Sequence, residues 1–399
     1  MVEIELSIMD RSLHPIPDIK PTLEQFESET KTRINLTVLD WDTAWSEVLR
    51  TALYRHGPDI SEMGSTWVSS LIGMNSLRPF SNEELAIIGG PGKFIPSLWD
   101  SGKLSGEKRV WAVPWLGYTR MIYYRRDLLE KAGIDENNAF QTHAQLVKTL
   151  TRLQEMGGCN PWGVPTRQNQ DSLHNIASWV WSTGGDFISQ DGRHILFQKE
   201  KAIAGLKAYF ELHRFLNKKE PDQVNPESSF RQGRTAVVTG GPQLWPNEIL
   251  NSPDVIQEVS AHLAAAPIPG VPFVGSSHLV VWKHTRNEQI ALQLIKHLTS
   301  RKTQLAYTPT SGLLPVRQEV LDAPPYSEMP MFRVMSQSLK SGRTFLSIPL
   351  WGLVENKLNL TLDRVWEDIF ASETPDIEGI LHKRLDPLAQ QLELTLSQN

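Results

Sequence analysis

The chain has 399 residues, of which 40% are hydrophobic and 21% charged, and this length suits two compact cores better than one. The net charge of −5 at pH 7 argues against a general nucleic-acid binder, because such proteins need a basic surface. The single cysteine, Cys159, cannot form an internal disulfide and cannot hold zinc by itself. No run of about 18 apolar residues is present, so the sequence predicts no transmembrane helix.

The first part of the chain alternates predicted strands and helices. Apolar alternation predicts strands at 4–9 and 34–39 and the end of a third strand at 59–63. A predicted helix between the first two strands places Leu23 and Phe26 on one face. This order is typical of βαβ units, and it predicts a mostly parallel sheet.

The pattern changes near residue 109. A strand is predicted at 109–114, where Pro114 ends it, and a second at 119–124. The helix that follows, at 126–133, is closed by Gly133. The same patterns predict helices at 143–156, 171–182 and 200–216 and a strand at 236–239.

The last third of the chain begins with a segment rich in proline and glycine. This composition, at 264–274, predicts a linker. The pattern after it predicts a strand at 279–282, a helix at 287–300 and a helical tail at 331–395.

These elements predict an α/β chain with two lobes, each a mostly parallel sheet flanked by helices. The chain is expected to cross between lobes near 112–117 and 264–274, with a third crossing near 322–330. The predicted lobe boundaries follow from these crossings: residues 1–113 and 272–323 in the N-terminal lobe, residues 114–271 and 324–399 in the C-terminal lobe. Small-molecule sites favour the cleft between two such domains.

Three groups of motifs occur in order along the chain. They are GEKRVWAVP at 106–114 with YYRRDLLEKAG at 123–133, FRQGRTAVVTGGPQLW at 230–245, and GSSHLVV at 275–281 with GLLPVR at 312–317. In this order and spacing they resemble the motifs of the extracellular solute-binding proteins of ABC sugar importers, the group that includes maltose- and trehalose-binding proteins. The resemblance implies a two-lobed periplasmic binding protein-like fold of type II, hinged at the crossings.

The resemblance also implies a function. A protein of this kind captures a sugar, here a disaccharide or oligosaccharide, in the cleft by hinge closure and delivers it to the membrane permease subunits of an importer. It would be a monomer, need no cofactor and catalyse no reaction.

Two other function classes stay open from the sequence. The first is a receptor of the same type for a non-sugar solute such as a glycerol phosphate, a polyamine or an oligopeptide. The second is a glycoside hydrolase, which needs two carboxyl groups on either side of one bond, and loop acids such as Asp42 and Glu62 could supply them. No nucleophile elbow, metal signature or cofactor motif supports the enzyme.

A sugar site needs aromatic plates for the C–H faces of the rings and polar groups for the hydroxyls. Residues that follow predicted strands or lie at a crossing are the candidates, because ligand sites form at the carboxyl ends of strands. Trp351 is added because the family often uses a late aromatic residue. The predicted ligand-binding residues are Asp10, Arg11, His14, Trp41, Asp42, Glu62, Ser65, Trp67, Trp115, Tyr118, Arg120, Gly240, Gly241, Trp245, His278 and Trp351.

No metal site is predicted, because His14 and His278 lack the spacing of known metal-binding motifs. The cellular location is open from the residues alone. The first nine residues form an apolar-alternating segment without the basic and apolar regions of a signal peptide. Either the protein stays in the cytoplasm or a signal segment has been removed. The resemblance favours a periplasmic or membrane-anchored location outside the cytoplasm, as in a lipoprotein.

Overall fold

The structure is a computed structural model that describes residues 2–11, 14–167, 172–217, 225–241, 244 and 254–397. The chain divides into two compact units. Unit 1 comprises Met1–Tyr118, Val274–Lys340 and Thr344–Gly352. Unit 2 comprises Thr119–Phe273, Ser341–Arg343 and Leu353–Asn399.

Eleven strands are found in the described ranges. They are β1 (Val2–Met9), β2 (Thr32–Leu39), β3 (Ile60–Gly64), β4 (Leu77–Arg78), β5 (Ala112–Thr119), β6 (Met121–Arg125), β7 (Asn160–Gly163), β8 (Thr235–Gly240), β9 (Leu263–Pro267), β10 (Val274–Trp282) and β11 (Leu314–Pro315).

The helices of the described ranges are numbered in the same way. They are α1 (Pro15–Thr30), α2 (Trp41–Tyr54), α3 (Ser65–Gly73), α4 (Asn82–Ile88), α5 (Pro96–Asp100), α6 (Arg126–Lys131), α7 (His143–Met156), α8 (Ser172–Ser182), α9 (Glu200–Phe210), α10 (Pro226–Arg231), α11 (Gln257–His262), α12 (Glu288–Leu298), α13 (Arg301–Tyr307), α14 (Gln318–Leu321), α15 (Pro330–Ser341), α16 (Trp351–Phe370) and α17 (Ile377–Ser397). None of them combines the length and apolarity that a bilayer crossing requires.

The sheet of unit 1 is mixed. Its strands follow the order β11-β5-β10-β3-β1-β2, and β4 pairs with β10. β1 pairs parallel with β2 and β3, as the βαβ pattern predicts, whereas β10 runs antiparallel to β3 and β4. The mostly parallel sheet expected from the sequence is therefore only partly present. β10 enters this sheet directly from unit 2 and not through a βαβ crossover, so its connection does not require it to run parallel to its neighbours.

The core of unit 1 includes an apolar face of β1. Ile4, Leu6 and Ile8 alternate along the strand and are fully buried. The buried side chains of α1 include the predicted Leu23 and Phe26. Burial of these apolar side chains provides the main driving force for the βαβ part of the unit.

One strand differs from its prediction. β5 runs through Pro114 and ends at Thr119, whereas the sequence predicted that Pro114 ends a strand. Its pairing with β11 lies beyond the proline, at Leu116 and Gly117. Pro114 has no backbone N–H to donate, and the pairing with β11 does not need one at that position.

Unit 2 contains a second mixed sheet, with the strand order β7-β8-β6-β9. β7 and β8 are parallel, whereas β6 is antiparallel to both β8 and β9. Helix α9 ends at Phe210 and continues as a 3-10 turn through Phe215, which covers the helix predicted at 200–216. The ring of Trp366 from α16 lies 4.7 Å from that of Phe210, which buries the helix against the unit.

The segments predicted as linker and tail also differ in detail. Residues 263–267 form β9 and pair with β6, so part of the predicted linker belongs to the sheet of unit 2. The predicted helical tail consists of α15, α16 and α17, which are separated at 342–350 and 371–376. The chain passes from unit 1 to unit 2 after Tyr118 and returns at Val274.

Asp59, just before β3, ties the amino-terminal half of β1 to the chain that follows β10. Its carboxylate accepts hydrogen bonds from the backbone N–H of Glu5 (2.9 Å), the side-chain amide of Asn287 (3.2 Å) and the hydroxyl of Thr285. We predict that Asp59→Ala lowers the free energy of unfolding by about 2–4 kcal/mol, because the buried hydroxyl of Thr285 and two part-buried donors lose their acceptor.

Chemical denaturation of the purified protein tests this. The control is Glu24→Ala, which removes an exposed carboxylate and should change stability by less than about 0.5 kcal/mol. Equal effects of the two substitutions would contradict the role assigned to Asp59.

Candidate functional site

Polar and aromatic residues meet at one edge of the unit 1 sheet. β1, β2 and β3 are parallel, so their carboxyl ends share this edge. Asp10 follows β1, Trp41 and Asp42 follow β2, and Ser65 follows β3. Asp10 and Asp42 are exposed and Ser65 is half-buried. His14, also exposed, precedes α1 without capping it through its side chain. The structure thus places these predicted site residues at one edge of the sheet.

Three indole rings pack against one another beside this edge and form what we call the tryptophan cluster: Trp41, Trp45 and Trp67. The ring centroids of Trp41 and Trp67 are 5.5 Å apart with the planes inclined at 65°, and those of Trp45 and Trp67 are 5.2 Å apart. Trp41 is 37% exposed. An exposed indole face in such a setting can stack on an apolar ligand surface.

The local sequence explains how the cluster forms. Asp40 accepts a hydrogen bond from the N–H of Asp42 at 2.8 Å and so starts α2 at Trp41. Trp41 and Trp45 are then four residues apart and lie on the same helix face. Trp41 and Trp67 are candidates because they follow predicted strands, and in the structure they lie in α2 and α3. The helices give both rings a fixed orientation.

A buried charged niche lies in the same unit. Arg11 forms an ion pair with Glu62, and their side chains are only 5% and 0% exposed. Arg11 Nη1 also donates to the hydroxyl of Tyr307 at 3.0 Å, and its guanidinium lies over the ring of Trp115 at 5.1 Å. Burial lowers the pKa of the Arg11 guanidinium. We call these four residues the arginine niche.

Glu62 is held from two sides. Besides its pair with Arg11, its Oε2 accepts a hydrogen bond from the backbone N–H of Met9 at 2.8 Å. Trp115 is fully buried and stacks on Tyr307 with centroids 5.6 Å apart. Burial raises the pKa of the Tyr307 hydroxyl, which stays a neutral donor and acceptor at physiological pH. The niche therefore carries one positive and one negative charge.

Other predicted residues of unit 1 are packed inside it. Trp351 is 2% exposed and stacks on Phe345 at 4.6 Å. Tyr118 is half-buried on β5 and packs against Gly275, where an added Cβ would lie 2.4 Å from the ring. Only glycine fits beside that ring.

The predicted residues of unit 2 lie on separate structural elements. Arg120, between β5 and β6, is 1% exposed and its Nε donates to Asn175 Oδ1 at 2.9 Å. Gly240 ends β8, and the carbonyl of Gly241 accepts a hydrogen bond from the Tyr123 hydroxyl at 3.3 Å. Trp245 lies outside the described residues.

One pair of titratable residues in unit 2 was absent from the predicted set. His174 Nε2 lies 3.0 Å from Glu355 Oε1, and its ring stacks on Phe273 at 4.5 Å. The sequence offered one signal, a histidine within the apolar pattern of 171–182. Its partner is 181 residues away, so the pair could not be recognised from spacing.

Within the described ranges, no three His, Cys, Asp or Glu side chains come close enough together to hold a metal ion. Cys159 is half-buried, and burial raises the pKa of its thiol. The groups that the described site residues can present to a ligand are thus carboxylates and aromatic rings, such as Asp10, Asp42 and Trp41.

The chain is similar in sequence to known proteins. A sequence profile described as bacterial extracellular solute-binding protein matches residues 22–334. The diacetylchitobiose binding protein DasA of Streptomyces coelicolor is 21% identical over 375 residues, which cover 91% of this chain and 85% of that protein.

Two solved structures share the fold. The sugar-binding protein MalE from Xanthomonas citri has a TM-score of 0.84 at 18% identity, covering 100% of this chain and 98% of that chain. A solute-binding protein of an ABC transporter from Thermotoga lettingae TMO, bound with α-D-tagatose, has a TM-score of 0.80 at 18% identity, covering 99% and 100%. The likeness confirms the α/β periplasmic binding protein-like fold predicted from the sequence.

His278 is fully buried on β10. Its ring nitrogens lie 3.2 Å from the Ser276 hydroxyl, 3.1 Å from the Leu98 carbonyl and 3.3 Å from the Ser101 hydroxyl. Burial lowers its pKa from 6.5 to about 4. Below pH 6.5 His278 becomes protonated in the unfolded chain but stays neutral in the folded chain. The free energy of unfolding therefore decreases as the pH falls from 6.5 towards 4.

We predict that His278 accounts for a loss of up to about 3 kcal/mol across this pH window. Urea denaturation between pH 7.5 and 4.5 should show a flatter dependence for His278→Gln than for the wild type. Identical pH dependences for the two proteins would contradict the prediction.

Proposed function

We propose that this chain, which belongs to the bacterial extracellular solute-binding proteins, is the substrate-binding component of an ABC importer and captures a sugar. The observation that carries the proposal is the tryptophan cluster, whose half-exposed Trp41 lies at the same sheet edge as the exposed Asp10 and Asp42. Family membership makes the chain a solute receptor and not an enzyme.

The chemistry of a sugar matches these groups. Each pyranose presents an apolar C–H face, which an indole ring can cover, and a rim of hydroxyls. The carboxylates of Asp10 and Asp42 accept charge-assisted hydrogen bonds from such hydroxyls.

The relatives support a sugar as the solute. One is named for binding diacetylchitobiose, and the two solved structures are described as a sugar-binding protein and as a complex with tagatose. Diacetylchitobiose and tagatose are both uncharged.

The proposed mechanism is hinge closure, a motion known for periplasmic binding proteins. The two compact units would act as the lobes, and a solute bound more tightly in the closed form favours that form by its differential affinity. Gly240, Gly241 and Trp245 follow β8, and with Arg120 they are the proposed contacts from unit 2.

The other proposed properties follow from this mechanism. The closed, monomeric receptor would dock on the membrane permease subunits, and no cofactor takes part. The family description places such proteins outside the cytoplasm, so we propose a periplasmic or membrane-anchored location.

A thermal-shift screen tests the proposed function. We expect diacetylchitobiose, maltose or tagatose to raise the melting temperature, because a ligand that binds the folded state stabilises it by mass action. At a concentration one hundred times Kd the stabilisation is about 2.7 kcal/mol. Absence of a shift with these and other mono- and oligosaccharides would refute the assignment of a sugar.

Substitution of Trp41 tests the site. We expect Trp41→Ala to weaken binding of the sugar found in the screen at least tenfold, about 1.4 kcal/mol, because the exposed indole face is removed. Tyr54→Ala is the control, since Tyr54 is an aromatic residue of the same helix that is 75% exposed near its other end. If calorimetry gives the same Kd for Trp41→Ala and the wild type, Trp41 is not a ligand contact.

A further inference from the structure

The arginine niche carries information about the charge of the solute. Arg11 follows β1 at the same sheet edge as Asp10, and its guanidinium is already paired with the carboxylate of Glu62. Both side chains are at least nine-tenths buried. The positive charge of Arg11 is thus neutralised inside unit 1, before any solute binds.

An anionic solute would have two ways to use Arg11, and both are unfavourable. It could displace Glu62, which would leave a fully buried carboxylate without its counter-charge. Alternatively, it could approach Arg11 while the pair stays intact, and it would then be repelled by Glu62 and by the neighbouring Asp10. The hydrogen bond from Met9 N–H keeps Glu62 in place.

A neutral hydroxyl meets no such penalty. In the part of the chain that the structure describes, four buried polar atoms of the niche have no hydrogen-bond partner: Arg11 Nε and Nη2, Trp115 Nε1 and Glu62 Oε1. Arg11 Nη2 contacts Glu62 in the ion pair, and the other three atoms comprise two donors and one acceptor. A hydroxyl both donates and accepts, so it can satisfy groups of both kinds, whereas a phosphate or carboxylate oxygen can only accept.

We infer that Glu62 is a specificity-determining residue that excludes anionic solutes. By holding Arg11 as a neutral pair, it restricts this site to uncharged polyhydroxyl solutes and rejects sugar acids and glycerol phosphates. The inference rests on the proposed function, since it concerns the solute of the same site. It also selects between the two receptor classes that the sequence left open.

The test compares Glu62→Gln with the wild type. Glutamine keeps the size of the side chain and an oxygen that can accept from Met9 N–H, but it removes the charge that neutralises Arg11. Calorimetry is run with maltose and diacetylchitobiose as neutral probes and with glucuronate and sn-glycerol 3-phosphate as anionic probes. The matched control is the double variant Arg11→Gln/Glu62→Gln, which lacks both charges.

We expect the wild type to bind a neutral probe and to bind the anions at least about 100-fold more weakly. Glu62→Gln should bind an anion at least about tenfold more tightly than the wild type does. The double variant should lose this gain, because it has no unpaired guanidinium. Circular dichroism establishes that each variant is folded.

Two results would overturn the inference: a wild type that binds an anion as tightly as a neutral sugar, or a folded Glu62→Gln variant that gains no affinity for anions. If Glu62→Gln does not fold, the wild-type comparison decides alone. If the wild type binds no sugar but Glu62→Gln gains an anion, the specificity role stands and the sugar assignment fails. If no protein binds any probe, both fail.

Discussion

The parallel pairing of β1 with both β2 and β3 is the constraint on which unit 1 depends. Leu6 pairs with Leu36 on one side and with Ile60 on the other, so the three strands run in one direction through the buried core. Their carboxyl ends therefore share one edge, where the tryptophan cluster and the arginine niche lie. Their amino ends share the opposite edge, where Asp59 ties β1 to β3 and to the chain after β10. The proposed ligand contacts and the strand anchoring are thus at opposite ends of the sheet.

Elements with strong periodicity could be predicted from the sequence. Helix α7 has the predicted bounds of 143 and 156, because Thr142 caps its start and Gly157 follows its end. The direction of β10 could not be predicted, since direction depends on which neighbour the returning strand meets and not on its own residues. The course of β5 through Pro114 depends likewise on where β11 pairs with it.

The candidate site was predicted less completely, for the same physical reason. Trp41 and Trp115 both follow apolar segments, yet Trp41 is 37% exposed and Trp115 is fully buried. The difference in exposure comes from tertiary structure. Asp40 starts the helix that carries Trp41, whereas the ring of Tyr307, which lies far along the chain from Trp115, stacks on Trp115 and covers it. A local pattern can indicate which residues follow strands, but it cannot indicate which of them a distant helix will cover.

The arginine niche shows why burial alone does not decide between a structural and a functional role. A buried ion pair is weak evidence for stability, because desolvation of the two charges offsets much of their attraction, and apolar replacements are often as stable. The Arg11–Glu62 pair nevertheless lies at the edge of the sheet where we propose that the solute binds. The other buried acid of unit 1 described above, Asp59, lies at the far edge and accepts only from neutral donors. Asp59 needs no counter-ion to anchor strands. A charge pair at the proposed ligand edge does something that neutral hydrogen bonds cannot, because it fixes the net charge that an incoming solute meets.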